Sequence, residues 1–367
     1  MYFGFSDEEK MLKKSFRDLM EKHAPIDYVR KFIDEPKVSK SLQNLIGQQG
    51  ILGMVTRNGD RYEGVLFAVA AFEEAGKALL PFPLLEGVLG TYALSRDETK
   101  EDLYAEVLEG RQLVTIAWHE NGAPKLYRQG EGYAAFGSFH GVPFADDADR
   151  ILAFFQAQGT GMTPSEETTL VILDRRHPAV SVHPLKAMDL TMPVYRVEVA
   201  GYPVTENDII LKPGDGLGLR REFEQLGALF ASAEMLGLSD AVLYKTVEYT
   251  KVRKQFGQEI GKFQALKHMA ADMYLMLESS RVAIIYAGWA LESGTEPESV
   301  SIAKAYTSEA AMEITGMAIQ MHGGIGYTWE SDMHLYFKRA RRSAAAFGDM
   351  FAHRERVIQT LLEKVGG

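Results

Sequence analysis

The sequence contains no cysteine. Disulfides, thiolate metal sites and a cysteine nucleophile are therefore excluded, and no metal site is expected. Positive charge is not in excess either: 40 Lys+Arg face 50 Asp+Glu, a net charge of -10. Gripping nucleic acid or an anionic membrane needs a positive field, so neither is the expected partner. The stretch Met1 to Lys10 is acidic and aromatic rather than basic then apolar, so it does not read as a signal peptide. Charged residues break every apolar run well short of ~18 positions, so no membrane span is expected and the expected location is the cytoplasm. What is present is ordinary globular material, 46% hydrophobic and 25% charged, which supports a core of normal size. At ~100–200 residues per domain the chain has room for two or three.

Periodicity divides the chain into three parts, 1–110, 111–212 and 213–367. The first reads as helical. Ser6 followed by Glu9 has capping-box spacing, with Met11, Leu12, Phe16, Leu19 and Met20 on one face. Further helices are expected over 39–49 (stopping at Gly50), 62–76 and 84–94. The second part changes to strand-length apolar runs at 113–118, 133–144, 150–155, 168–173, 180–182 and 195–199, with turn clusters such as Asn121-Gly122 between them. That spacing predicts a small antiparallel barrel or sandwich. The third part is helical throughout, with long patterned segments at 219–250, 263–292 and 298–321 and a shorter pair at 333–346 and 350–363, which predicts a bundle. Helices, then strands, then helices make an α+β chain rather than a βαβ alternation.

Two clusters carry chemistry. The first is Arg253-Lys254-Gln255-Phe256-Gly257, followed by Phe263-Gln264, between two long helices. A guanidinium beside a helix start is a phosphate-gripping arrangement; a solvated arginine in an inter-helix turn fits the same residues. The second is Gln320-Met321-His322-Gly323-Gly324-Ile325-Gly326. Glycines at a helix end allow close approach to a ligand, or form a plain C-cap.

In this order and at this separation, with the α–β–α order around them, the two clusters make the whole chain resemble the acyl-CoA dehydrogenase family. That resemblance implies an N-terminal helical domain, a middle β-domain and a C-terminal four-helix bundle. It implies FAD as cofactor and an acyl-CoA thioester as substrate, dehydrogenated to the trans-2-enoyl-CoA, with an electron-transfer flavoprotein as acceptor. It implies that Arg253 and Gln264 hold the pyrophosphate region of FAD, that Gln320 and Gly324 contact its adenosine end, and that Gln255, Phe256 and Gly323 belong to the same cofactor-binding set, reaching across to a flavin seated mainly in a neighbouring subunit.

Against that family pattern the chain departs at the positions it would use itself. The carboxylate base is expected at Phe347 or, in a minority of members, at Gly227; neither can take a proton. Asp349, Glu224 and Glu330 are the remaining carboxylates in roughly the right regions, and Asp349 is the candidate of an alternative reading. The flavin-ring loop is replaced by His119-Glu120-Asn121-Gly122-Ala123-Pro124-Lys125, with only Glu120 matching, and the strand that covers the flavin by Val142-Pro143-Phe144. Charges expected for CoA are Gln225 and Ala228 here. Residues this chain would keep are degraded, and residues it would lend are intact. The pattern is similar to the subunit of α2β2 acyl-CoA dehydrogenases that has lost the base. Two other readings stay open: a self-sufficient flavoenzyme in a homo-oligomer, with Asp349 as an unusual base, and a non-catalytic flavin- or acyl-CoA-binding scaffold.

Overall fold

A computed structural model of the chain describes residues 4–366, apart from 60, 121–122, 159–167, 212–215 and 297; for 119, 120, 365 and 366 it describes the backbone only. In chain order the helices are α1 (Asp7–His23), α2 (Ile26–Asp34), α3 (Lys40–Gln48), α4 (Val65–Lys77), α5 (Leu84–Leu94), α6 (Glu101–Leu108), α7 (Gly216–Val252), α8 (Gln264–Ser293), α9 (Glu298–His322), α10 (Met333–Ala345) and α11 (Met350–Gly366). The strands are β1 (Thr56–Asn58), β2 (Arg61–Glu63), β3 (Val114–Ala117), β4 (His119–Glu120), β5 (Lys125–Gln129), β6 (Gly132–Pro143), β7 (Arg150–Gln158), β8 (Thr168–Asp174), β9 (Val180–Leu185), β10 (Val194–Val204), β11 (Ile209–Leu211), β12 (Lys254–Gln255) and β13 (Gln258–Glu259). This is the α+β order read from the sequence: N-terminal helices, a central sheet, a C-terminal helix bundle.

The chain folds as two compact units. One comprises Met1–Lys31, Arg57–Leu80 and Gln225–Gly367, the other Phe32–Thr56 and Pro81–Glu224. The N-terminal helical segment therefore divides in space, with α1 and α4 grouped with the bundle and α3, α5 and α6 with the sheet.

In the first unit, α1 opens as its sequence dictates: Glu9 N donates to Ser6 Oγ (3.2 Å) and Ser6 N to Glu9 Oε2 (2.6 Å), which satisfies two orphan donors reciprocally. The start of α4 is capped from another helix, because Leu66 N donates to Glu292 Oε1 of α8 (3.1 Å). Desolvation holds that carboxyl above its ordinary pKa. At the crossing of α4 with α7, a Cβ on Gly237 would run into the carbonyl of Glu73, so only glycine permits this approach. Phe72 stacks on Phe230 at the same crossing (4.7 Å between centroids). Glu73 and Glu74 are buried there and paired with Lys13, Arg17, Lys77 and Arg281, as buried carboxylates must be. By length and composition α7 could cross a membrane, but 83% of its most apolar window is buried inside the protein; it is a core helix.

Among the described residues the second unit is built on a nine-stranded sheet, with main path β11-β8-β7-β5-β6-β10-β9, β3 beside β7 and β4 beside β6. The sequence led us to expect antiparallel pairing, and among the described residues that holds except for β3 and β5, which both run parallel to β7. Alternate positions of β6, β7, β8 and β10 fill one core, including Phe139, Ile151, Phe155, Val171 and Val197, each under 2% exposed, so register is fixed by the buried face. All of α5 but Leu85 is buried, and Gly90 lets it lie against Val114 of β3.

Candidate functional site

The two chemistry-bearing clusters meet at one end of the bundle. Helix α7 ends at Val252, and Arg253 N still donates to Tyr249 O (3.0 Å). The chain then makes a tight hairpin, β12 with β13, whose turn residues Phe256 and Gly257 have φ of +51° and +79°. Phe256 is 92% exposed, which is costly for an apolar ring and marks a surface made for contact. Arg253, Gln255 and Gln264 are exposed on the same segment. One turn before Arg253, Tyr249 stacks on His322 at the end of α9 (4.3 Å, 19° between planes), and its hydroxyl donates to the His322 carbonyl (3.4 Å). His322 is lowered in pKa by burial, which favours a neutral ring for stacking. This pair ties the arginine hairpin to the glycine segment, although 73 residues separate the two partners.

Beyond His322 the backbone turns at Gly323 (φ +63°) and continues as a short 3-10 turn, Gly323–Tyr327. A Cβ at Gly323 or Gly324 would meet nothing within 4 Å, and both glycines and Gln320 are exposed. Among the described residues, no side-chain hydrogen bond or ion pair engages Arg253, Gln255, Gln264 or Gln320. A guanidinium, three amides, bare glycine backbone, a helix N-terminus at Gln264 and an exposed aromatic ring suit an anionic pyrophosphate carrying flat rings.

The positions expected to hold a base lie elsewhere in the same unit, and they touch one another. Phe347 sits in the turn between α10 and α11 with φ +57°, followed by Gly348 at φ +98°. A Cβ added to Gly227 of α7 would fall 2.5 Å from two ring atoms of Phe347. The phenyl ring therefore lies flush on the Gly227 backbone, and the two alternative base positions form a single apolar contact.

The turn is fixed from three sides. His353 is buried; its Nε2 donates to Phe347 O (3.0 Å) and its Nδ1 accepts from Ser301 Oγ (3.0 Å). Burial lowers its pKa to about 4, so the ring is neutral at pH 7. Lys304, also fully buried, donates from Nζ to Ser343 O (2.9 Å), Ala344 O (2.8 Å) and Ser308 Oγ (3.3 Å). It caps the last carbonyls of α10, and burial lowers its pKa to about 7. Asp349 caps α11 through Ala352 N (2.9 Å). Sequence reasoning missed Lys304. The signal was present, because Lys304 lies on the apolar stripe Val300, Lys304, Thr307, Ala311, where a cation must be buried and partnered.

The other expected positions offer little for ligand binding. Ala228 is fully buried and Gln225 half-buried. Val142 and Phe144 are packed in the core of the sheet unit, with Phe144 against Phe32 (6.0 Å). The side chains of His119 and Glu120, and residues Asn121 and Gly122, lie outside the described residues. Just before them, Trp118 packs on Phe223 (6.1 Å), with Arg220 over its ring (5.6 Å). Glu224 is half-buried, and Glu330 is exposed, its carboxyl held below the ordinary range by the Thr328 hydroxyl.

An α–β–α chain whose exposed end presents these groups is suited to a dinucleotide cofactor. Residues 214–362 match the family model described as "Acyl-CoA dehydrogenase, C-terminal domain". The chain is 32% identical over 348 residues to Acyl-CoA dehydrogenase IpdE2 of Mycolicibacterium smegmatis, covering 94% of this chain and 95% of that one. Its fold is similar to that of the glutaryl-coenzyme A dehydrogenase glutaryl-CoA complex (TM-score 0.90, 21% identity, covering 100% and 97% of the two chains). It is similar also to a chain of the ChsE4-ChsE5 complex from Mycobacterium tuberculosis (TM-score 0.87, 23% identity, 99% of each). The chain belongs to the acyl-CoA dehydrogenase family, a superfamily of FAD-binding proteins.

Proposed function

We propose that this chain is the subunit of a two-component acyl-CoA dehydrogenase that has given up the base and completes the FAD site of a Glu-bearing partner. The observation that carries the reading is the contact of Phe347 with Gly227. Removing a Cα proton needs a carboxylate beside the substrate, and both places for it are filled by one phenyl ring and a bare backbone. The exposed end supports the other half of the reading: its side-chain donors have no partner among the described residues and are available to a group bound mainly by another subunit. That one structural neighbour belongs to the ChsE4-ChsE5 complex is consistent with two-component assembly.

In that role FAD, when bound, supplies the hydride acceptor for α,β-dehydrogenation of an acyl-CoA thioester to the trans-2-enoyl-CoA. This chain's own part is binding and orientation. Arg253 would neutralise the pyrophosphate, Gln255 and Gln264 would hydrogen-bond along it, Phe256 would exclude water, and Gln320, Gly323 and Gly324 would meet the adenosine end. An electron-transfer flavoprotein is the expected electron acceptor, and the expected location remains the cytoplasm.

The test is flavin stoichiometry from visible absorbance, on the chain alone and co-expressed with a Glu-bearing homologue. The expected result is no flavin alone and about one flavin per two chains in a mixed complex, lost on Arg253→Ala. One flavin per chain in a homo-oligomer, with turnover, would instead favour the self-sufficient enzyme. Flavin bound with no turnover in any combination would favour the scaffold.

A further inference from the structure

The loop that follows the glycine turn carries a feature the contacts above leave unused. Trp329 is 58% exposed, yet it is held in place. Its carbonyl accepts from Arg30 Nη1 (2.8 Å), and the same guanidinium grips Asp332 through Nε (3.0 Å) and Nη2 (2.7 Å). Lys338 Nζ lies 4.9 Å from the centre of the indole, and His334 meets it nearly perpendicular at 4.7 Å. The loop is thus anchored at both ends, by the Tyr249–His322 stack on entry and by the Arg30–Asp332 pair on exit.

Ile325, Tyr327 and Trp329 are all exposed within this one stretch, and exposed apolar side chains grouped together, unlike single ones, mark a contact surface. The flat, preorganised ring of Trp329 suits a heteroaromatic base, which stacks with little loss of side-chain freedom. We infer that Trp329 is the stacking platform for the adenine of the FAD whose pyrophosphate Arg253 binds. The inference rests on the proposed donation of this surface to a partner's flavin. Adenine is favoured over the flavin ring because Trp329 stands five residues beyond Gly324, on the same braced loop as the segment assigned to the adenosine end. A protein surface of the neighbouring subunit is the competing occupant.

The experiment uses the co-expressed complex, stripped of flavin and titrated with FAD by fluorescence, with ADP as a competitor that carries the adenine and two phosphates but no flavin ring. Trp329→Ala is expected to weaken both FAD and ADP by about tenfold, in the range of one lost base stack. Trp329→Phe is expected to restore most of the affinity, and the oligomeric mass to stay unchanged in both variants. Arg253→Ala serves as the reference. If it strips flavin while Trp329→Ala leaves FAD or ADP affinity unchanged, the adenine assignment falls and the donated site survives. If Trp329→Ala breaks the oligomer, the ring seats a protein surface and the assignment falls. If Arg253→Ala keeps its flavin, the donated site itself fails, and the adenine assignment with it.

Discussion

Two places in the helical unit contrast sharply. At the hairpin and glycine turn, Arg253, Gln255, Gln264 and Gln320 project into solvent with no partner in the chain among the described residues. At the turn between α10 and α11, Lys304, His353, Ser301 and Asp349 are each engaged in holding the backbone around Phe347. Folding explains the second group fully, because a buried polar atom without a partner is costly and the exposed Asp349 caps a helix. It does not explain the first, because an exposed arginine adds almost nothing to stability. The difference separates residues kept for the fold from residues available to something outside it, and each variant below should disturb one place and spare the other.

The largest effect is expected at Lys304. Lys304→Met keeps the volume but leaves the carbonyls of Ser343 and Ala344 without their donor, at a cost of about 3 kcal/mol. Urea denaturation of the complex should show that loss, while the material that remains folded keeps its flavin. Arg253→Ala should do the reverse, with flavin gone and the urea midpoint unmoved when both complexes are compared stripped of flavin, since bound flavin itself adds stability. If either variant moved both readouts, the separation would be wrong.

The next effect tests the contact in place of a base. Gly227→Ala puts a methyl group 2.5 Å from the Phe347 ring, an overpacking that costs about 2 kcal/mol. Phe347→Ala removes the obstacle, so the double variant should recover most of the loss made by the first change. A double-mutant cycle reads this directly, and additive effects would mean the ring does not rest on Gly227.

How much of this was legible beforehand follows the same division. The long helices of the bundle and the strands of the sheet announced themselves by apolar period, and 84–94 matched to the residue. Short elements such as the β12–β13 hairpin did not, because two-residue strands have no period to read. The parallel placement of β3 and β5 beside β7 depends on which strands meet in space, and local patterning is silent on that. The residues proposed to face the ligand rest on motif and family likeness alone, since exposed side chains leave no trace in hydrophobic spacing. The locked turn was only half visible. Phe347 and Gly227 stood out as two homes for one missing base, but their mutual contact spans 120 positions of chain and needed coordinates. Lys304 left a sequence signal that was passed over. His353 left none, because a single histidine near a glycine predicts no partner.

A smaller effect is expected from acid. Burial lowers His353 from the ordinary 6.5 to about 4, so the folded chain resists protonation that the unfolded chain accepts. Between pH 4 and pH 6.5 the unfolded state binds more protons from this group. Stability therefore rises with pH through that window and is lost as pH falls, by at most about 1.4 kcal/mol per unit. His353→Gln retains a donor for the Phe347 carbonyl and cannot charge. Urea midpoints at pH 4.5, 5.5 and 6.5 should fall less steeply for this variant than for the native chain. Parallel slopes would show that the ring is not held neutral.

The smallest effect is the one that best divides the readings of function. Asp349 lies two residues beyond Phe347, and in the structure it accepts from Ala352 N as the cap of α11. A cap needs an oxygen acceptor and not a negative charge, so Asp349→Asn should change stability by only a few tenths of a kcal/mol, whereas Asp349→Ala should lose about 1 kcal/mol. A base needs the opposite: asparagine cannot take a proton, and a few orders of magnitude in turnover would vanish with the fold and flavin intact. On the proposed two-component reading, turnover of the mixed complex is expected to survive Asp349→Asn, because a partner's carboxylate would take the proton. A complex that keeps its flavin and midpoint but stops turning over would place the base at Asp349 after all, and the contrast between a locked turn and a lending surface would have to be redrawn with chemistry on both sides.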